Sequence, residues 1–295
     1  MNPEPGEIRI PRAYPEMPAN LESASQKAKR ITAENALKPE SFIHPGGFSE
    51  EIVKFNLAYV ENRKKHFEGL ESQEYKLAKA FEAALFELVN NSRWFGEDVK
   101  MIMPSEYDDF ANGMDGVLEF HKGEGSKNYL GLGIDVSYSR NPDVKFSIIK
   151  EQIDEARLGT VKYFRNTDGT IERPLTNLPR AVVLLDAADA TRVVRDWDKG
   201  APDTDNVYRK AMLRQLEIQL RAYQAYARKL EQANVKRYVT SRFFAQAEKI
   251  VSALLKDIAK PEEIAELDNH PSVQMIIYQL EQFGFLEPKT VEETK

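Results

Sequence analysis

Two aspartates stand at positions where a carboxylate needs a physical explanation. Asp115 begins an apolar strand candidate in NGMDGVLEF, and Asp135 lies near the end of the next strand candidate, LGLGIDVSYS. An unpaired charge buried among apolar side chains costs several kcal/mol, or its pKa shifts until the group is neutral. Adjacent strands can bring the two carboxylates together, and the sequence therefore predicts that they share a cation.

A third carboxylate comes from the helix predicted before these strands, over residues 73–91. Glu82 lies on one flank of its apolar stripe, from where it could lean over the sheet edge, and Glu87 lies on the opposite flank as the weaker candidate. The chain has no cysteine and only four scattered histidines, so carboxylate oxygens would be the main ligands. Such ligands favour magnesium or manganese.

Length and composition limit the class of protein. The chain has 295 residues, 42% of them hydrophobic and 30% charged, as in soluble globular proteins. It shows neither an apolar run long enough for a membrane span nor a signal peptide, so a cytoplasmic protein without membrane contact is expected. The net charge of −6 argues against sequence-independent coating of nucleic acid but is compatible with a local basic groove.

The pattern along the chain predicts three parts. Prolines dominate residues 1–48, which are expected to form an extended or disordered leader. Residues 49–200 are expected to form an α/β core that begins with an N-terminal helix. Residues 201–295 are expected to form a helical C-terminal extension packed on that core.

Within the core, periodicity predicts the helix at 73–91, three strands near 99–105, 115–121 and 128–139, a helix at about 145–157, and a strand at 181–187 that is buried on both faces. Helices follow at about 205–232, at about 240–259 and in SVQMIIYQLEQF. The apolar stripe of the first of these could be buried within the domain or in a homodimer through the C-terminal helices.

This order of elements and these acids resemble the PD-(D/E)XK nuclease-like superfamily, also called restriction-endonuclease-like, over about residues 73–187. The resemblance implies an α/β fold with a core of helix, three strands, helix and strand, with helical N- and C-terminal additions. It implies that Glu82, Asp115 and Asp135 bind magnesium or manganese. It also implies hydrolysis of phosphodiester bonds in DNA or RNA, with DNA favoured.

The chain departs from the family at Ser137, where a lysine is expected two residues after the third-strand acid. Lys150 could replace it, because it shares a helix face with Phe146 and Ile153 and is expected to point toward the sheet. Lys162 is a second candidate. If neither serves, the alternative is a catalytically inactive nuclease-like scaffold that binds nucleic acid or protein.

Three further signals are interpreted from the residues. Gln219 and Tyr223 are expected to pack in the core of a long helix, although their spacing matches the Gln-x-x-x-Tyr signature of one nuclease branch. Asp108 and Asp109 are expected to shape a loop, with supplementary metal binding or substrate contact as alternatives. Basic residues after Asp135 could line a phosphate groove: Arg140, Lys145, Lys150, Arg157, Lys162 and Arg165.

Overall fold

The computed structural model describes residues 21–66, 72–121, 130–138, 142–200, 207–233 and 240–288. The helices among them are α1 (Leu21–Asn35), α2 (Glu50–Lys65), α3 (Gln73–Asn90), α4 (Glu106–Asn112), α5 (Asp143–Asp154), α6 (Ala187–Asp198), α7 (Val207–Ala233), α8 (Thr240–Ile258), α9 (Pro261–Leu267) and α10 (Pro271–Gln282). The strands are β1 (Val99–Ile102), β2 (Gly116–Phe120), β3 (Leu130–Ser137), β4 (Gly159–Val161), β5 (Leu175–Leu178) and β6 (Arg180–Leu184), and a 3-10 helix covers Pro39–Phe42.

The fold is mixed α/β and contains a small four-stranded sheet with the order β1-β2-β3-β6. Strands β1, β2 and β3 form an antiparallel meander, and β6 pairs with β3 in parallel. All five residues of β6 are buried, as its apolar run predicts. The parallel pairing places Gly133 of β3 opposite Arg180 of β6 and Asp135 opposite Val182.

Side-chain amides close both edges of this sheet. At β6, Gln219 donates to the carbonyl of Val182 (2.7 Å) and accepts from its N–H (2.9 Å), and Gln215 does the same at Leu184 (2.7 and 2.8 Å). At β1, Asn90 donates to and accepts from Met101, both at 2.9 Å. Strand-edge groups that would otherwise be unsatisfied are thus paired without another strand.

The C-terminal helices contribute to the same hydrophobic core as the sheet. This core includes Phe81 and Leu85 of α3, Leu132 of β3, and Tyr223 of α7, with Phe244 of α8 packed beside it. The ring centroids of Tyr223 and Phe244 lie 5.6 Å apart. Helices α7, α8 and α10 are therefore bound to the α/β core by a continuous apolar contact.

A smaller core lies beneath the antiparallel hairpin of β4 and β5. It includes Val117 from β2, Val161 from β4 and Leu178 from β5, together with Met114. The hairpin was not predicted from the sequence, because its two strands are only three and four residues long. Helices α4, α6 and α9 were also missed, and α6 occupies residues next to the predicted strand at 181–187.

The expected extended leader is wrong for residues 21–42. Helix α1 covers residues 21–35 and packs against α3 and α6, and a 3-10 helix follows it. Leu21, Ala24, Ala28 and Ile31 are buried at helical spacing, so burial of this stripe stabilises the segment. Residues 1–20 of the expected leader lie outside the described residues, as do parts of the predicted strand at 128–139.

Within the described segments, none of the helices combines the length and the apolar character that crossing a membrane requires.

Candidate active site

The structure brings Asp115 and Asp135 together at the end of the β2–β3 pair. The pairing of β2 with β3 ends at Gly116 and Ile134. Just beyond this point, the N–H of Val136 donates to Asp115 Oδ2 at 2.8 Å. The Asp115 carboxylate therefore continues the ladder where the backbone of β2 ends. Asp135, in the middle of an otherwise apolar strand, keeps only 2% of its side chain exposed.

A lysine ammonium bridges these two carboxylates. Lys145, in the first turn of α5, places Nζ 3.1 Å from Asp115 Oδ2 and 3.4 Å from Asp135 Oδ1, and it also donates to the carbonyl of Val136 at 3.1 Å. Burial alone would lower the pKa of Lys145, but Asp115 and Asp135 outweigh burial and raise it above its usual value. Among the described residues, the cation between these two carboxylates is this ammonium group, whereas the cation expected from the sequence was a divalent metal ion.

Arg180 holds Asp135 from the opposite side. Its Nε and Nη2 donate to the two Asp135 oxygens at 2.6 and 2.8 Å, and only 2% of the Arg180 side chain is exposed. The same guanidinium donates to the carbonyls of Asn112 (3.0 Å) and Gly113. Gly113 ends α4 with φ +60°, and a β-carbon there would lie 3.0 Å from Arg180 Nη2. Arg180 thus fixes both Asp135 and the turn that leads to Asp115.

A second group of charges adjoins the first. Lys79 of α3 places Nζ 2.7 Å from Glu82 and 3.1 Å from Asp109 of α4. Burial alone would lower the pKa of Lys79, but Glu82, Asp109 and Asp115 raise it well above its usual value. We call the two groups together the charged cluster: Lys79, Glu82, Asp109, Asp115, Asp135, Lys145 and Arg180.

Glu82 is the most perturbed carboxyl of the charged cluster. Only 18% of its side chain is exposed, and burial, reinforced by Asp115 and Asp109 and opposed by Lys79, raises its pKa to about 8. Burial likewise raises the pKa of Asp109, against the effect of Lys79. The charged cluster thus sets four carboxyl groups beside three cations. Strongly perturbed carboxyl groups in one place are typical of functional sites.

Lys150 does not join this cluster, and the expectation that it points toward the sheet is wrong. It donates to the Tyr226 hydroxyl, its Nζ lies 3.6 Å from Asp154, and it lies 4.1 Å from the centroid of the Tyr226 ring. Lys150 flanks the buried stripe of α5 on the side of α7, whereas Lys145 lies at the helix start, beside the strand ends. The lysine that reaches the acids is therefore one turn earlier.

The other open alternatives also have definite places. Glu87 accepts from Trp197 Nε1 at 2.8 Å and lies 3.6 Å from Lys27 Nζ, so it faces α1 and α6 rather than the charged cluster. Lys162 Nζ lies 5.1 Å from the centroid of the Tyr107 ring. Of the two helix acids, Glu82 is the one that belongs to the charged cluster, where Asp115 contributes to its raised pKa.

Asp108 and Asp109 have different environments. Asp108 is buried and accepts from the N–H groups of Lys162 (2.6 Å) and Tyr163 (3.1 Å), from the Ser105 hydroxyl and from Asn112. The expectation that these two acids shape a loop is wrong, because both lie on α4: Asp108 binds the backbone that follows β4, while Asp109 belongs to the charged cluster. Gln219 and Tyr223 are fully buried in α7, and their core role agrees with the sequence interpretation.

Of the basic residues expected to line one groove, those that the structure describes with an ion pair are held by different acids. Arg157 pairs with Glu155, and Arg165 lies 2.5 Å from Glu172. Lys145 alone joins the acids, and Arg140 lies outside the described residues.

Sequence reasoning missed Lys79 and Arg180 as members of the charged cluster. Lys79 precedes Glu82 by three residues, a spacing that places both side chains on one side of a helix. Arg180 directly precedes the apolar run AVVLL, so a cation at the start of a buried strand was the available signal.

The residues present fit a hard divalent cation by type, since all four acids offer oxygen ligands. In the arrangement described, however, no three histidine or acidic side chains of the described segments are placed to hold a metal ion. Both Asp135 oxygens are bonded to Arg180. Glu82, Asp109 and Asp115 each have one oxygen that no described residue binds, so Glu82 and Asp115, the ligands expected from the sequence, would be the main ligands.

Comparisons with models of protein families, with curated proteins and with solved structures gave no match for this chain. Its function is therefore argued from the geometry of the site.

Proposed function

We propose that the protein is a nuclease-like hydrolase that cleaves phosphodiester bonds of nucleic acid, DNA in preference to RNA, with magnesium or manganese. The observation that carries this proposal is the meeting of Asp115 and Asp135 on the ammonium of Lys145, at 3.1 and 3.4 Å. Acids from two strands and a lysine from the following helix are what such chemistry requires.

The topology supports the same proposal. Helix α3 precedes an antiparallel meander, α5 follows it, and β6 returns parallel to β3. This is the order of the nuclease superfamily that the sequence resembles, with the β4–β5 hairpin inserted before the last strand. A lysine supplied by the helix after the third strand is also found in some members of that superfamily, and here Lys145 takes that place instead of Ser137.

Each residue then has a role set by its position. Glu82 and Asp115 would hold the ion, which when bound polarises a phosphoryl oxygen and a water molecule. Lys145, only 28% exposed, neutralises charge that develops on the phosphate. The water oxygen bonds to phosphorus and gives up a proton to solvent, while the bond to the leaving sugar oxygen breaks and that oxygen takes up a proton from solvent. Arg180 positions Asp135 and the turn before Asp115.

A catalytically inactive scaffold is the second candidate, and one observation favours it. Arg180 binds both oxygens of Asp135, and Lys145 neutralises Asp115, so the acids are already compensated without a metal. In such a scaffold the charged cluster would serve only to fix α3, α4, β3 and β6 together.

The test compares two lysines of α5. Labelled DNA and RNA are incubated with the protein and magnesium or manganese, and cleavage rates are measured for the wild type, Asp115→Asn, Lys145→Gln and Lys150→Gln. We expect Asp115→Asn to abolish cleavage and Lys145→Gln to slow it by about 100-fold, the effect of losing one charge-stabilising group. Lys150→Gln is the matched control and should cleave at the wild-type rate.

Two results would contradict this assignment. Cleavage that persists in Asp115→Asn would show that another site, or a contaminant, is responsible. Absence of cleavage by the folded wild type, together with no manganese binding at millimolar concentration, would select the scaffold. Lys145→Arg, which keeps the charge, should recover part of the rate if Lys145→Gln fails through loss of charge rather than loss of folding.

A further inference from the structure

A second surface beside the charged cluster combines a cation with aromatic rings. Lys162 Nζ lies 5.1 Å from the centroid of the Tyr107 ring and 5.5 Å from that of Phe48, distances at which a cation is attracted to a ring face. In the described part of the chain, the ammonium group of Lys162 forms no ion pair with a carboxylate. Its charge is therefore available to an anion.

The rings continue outward from Lys162 along α2. Tyr107 packs edge-on against Tyr59, with centroids 6.0 Å apart, and 37% of Tyr59 is exposed. Phe55 lies one helical turn before Tyr59 on the same face, and 76% of it is exposed. We call Phe48, Phe55, Tyr59, Tyr107 and Lys162 the aromatic platform.

The aromatic platform adjoins the charged cluster through α4. Tyr107 of the platform and Asp109 of the cluster are two residues apart on this seven-residue helix. Between them, Asp108 accepts from the backbone N–H of Lys162 at 2.6 Å and so ties β4 to α4. Residues two apart on a helix point about 200° apart, so Tyr107 and Asp109 lie on opposite sides of α4, and a bound chain of nucleotides would pass around this helix to reach both groups.

The chemistry of the aromatic platform matches an unpaired nucleotide. Ring faces stack on bases, and a free ammonium group binds phosphate, a combination typical of sites for single-stranded nucleic acid. In a duplex the base faces are covered by their neighbours, so a duplex could use only the ammonium. Packing within the protein explains the buried Tyr163, but it does not explain why Phe55 and Tyr59 remain exposed.

We propose that the aromatic platform binds a single-stranded segment of the nucleic acid, with bases on Tyr59 and Phe55 and a phosphate on Lys162. The inference rests on the proposed function, because it takes the bound strand to be the substrate of the charged cluster. It names the substrate class as single-stranded nucleic acid, or the unpaired end of a duplex.

The test measures binding without catalysis. Fluorescence anisotropy with EDTA present compares a short labelled DNA single strand with the matched duplex. We expect tighter binding of the single strand, and about tenfold weaker binding by Tyr59→Leu, Phe55→Leu and Lys162→Gln. Lys162→Gln should also lower the slope of log affinity against log salt by about 0.7, the value for one phosphate contact.

Matched controls lie on the C-terminal helices. Tyr278→Leu removes a ring that is 45% exposed on α10, and Lys256→Gln removes an exposed lysine of α8. Both should bind as the wild type does, and Tyr59→Phe, which keeps the ring, should retain binding. Circular dichroism checks that each variant folds. Phe55→Leu should fold as the wild type does, because Phe55 is highly exposed.

The aromatic platform proposal is overturned if the folded protein binds no nucleic acid, if it prefers the duplex, or if the control variants lose as much affinity as the platform variants. Failure of the proposed function is a separate result. Single-strand binding that persists while the folded wild type cleaves neither DNA nor RNA would remove the hydrolase and leave the platform.

Discussion

Two regions of this protein bury polar side chains, and they do so in opposite ways. At the edge of β6, Gln215 and Gln219 are neutral, and each both donates to and accepts from one residue of the strand. In the charged cluster, ionisable groups crowd together, and the pKa of Glu82 is raised to about 8.

The difference indicates what each region is for. A neutral amide that satisfies two backbone groups gives stability at little electrostatic cost. Several charges in a half-buried place carry a desolvation cost that neutral or apolar residues would avoid. The glutamine contacts are therefore explained by the fold alone, whereas the charged cluster carries a cost that the proposed hydrolysis would account for.

The largest expected effect is on the Asp135–Arg180 pair. Arg180→Met would remove the bidentate partner of the Asp135 carboxylate, and only 2% of the Asp135 side chain is exposed. We therefore expect a loss of about 3–5 kcal/mol in the free energy of unfolding. Urea denaturation monitored by circular dichroism measures it.

The control is Arg157→Met, at an exposed arginine, which should change stability little. Adding Asp135→Leu to Arg180→Met removes the stranded charge and should restore part of the stability. A double variant no more stable than the single one would show that Arg180 acts through its contacts to Asn112 and Gly113 instead.

An effect of comparable size is expected at the β6 edge. Gln219→Leu keeps the volume but leaves the N–H and C=O of Val182 without partners, at about 1–3 kcal/mol for each group. The same urea experiment applies, with Gln232→Leu at an exposed position of α7 as the control. If Gln219→Leu were neutral, the amide contacts would not be the source of stability at this edge.

The smallest expected change in the free energy of unfolding is the one caused by a change of one pH unit. Because the pKa of Glu82 is higher in the folded protein than its ordinary 4.5, the folded state binds more protons between pH 4.5 and about 8. Stability should therefore fall as pH rises through this window, by at most about 1.4 kcal/mol per pH unit. Urea denaturation at pH 6 and pH 7 checks the slope.

Glu82→Gln is the matched variant for this prediction. It cannot ionise, so its stability should vary less over the same pH window than that of the wild type. An equal slope in both proteins would mean that Glu82 is already ionised in the folded state, and that the charged cluster is less perturbed than its burial indicates.

The order of helices and strands could be predicted because long periodic segments report burial directly. The apolar residues of helix α3, the meander and β6 follow the spacing expected for elements that are buried on one face or on both faces. Helix α1 was missed because the many prolines before and after it indicated an extended segment. Its short apolar stripe is recognised only when the residues from Leu21 to Ile31 are considered by themselves.

The site was predictable only in part. Asp115 and Asp135 stand out as charges in apolar strands, but the lysine depends on how α5 is rotated and on which of its turns lies beside the strand ends. Those quantities follow from packing against α7 and β6, which no local pattern encodes. The role of Arg180 could not be predicted either, since its partner Asp135 is 45 residues earlier in the chain.

The amide contacts at Met101, Val182 and Leu184 limit how copies of this protein can associate. An incoming strand would have to displace Asn90 on one side, or Gln215 and Gln219 on the other, before it found a free backbone group. These contacts therefore oppose the addition of further strands to the sheet, the process by which fibrils grow. Contacts through the described helical surfaces need no such displacement, and there side-chain shape rather than main-chain pairing would select the neighbour.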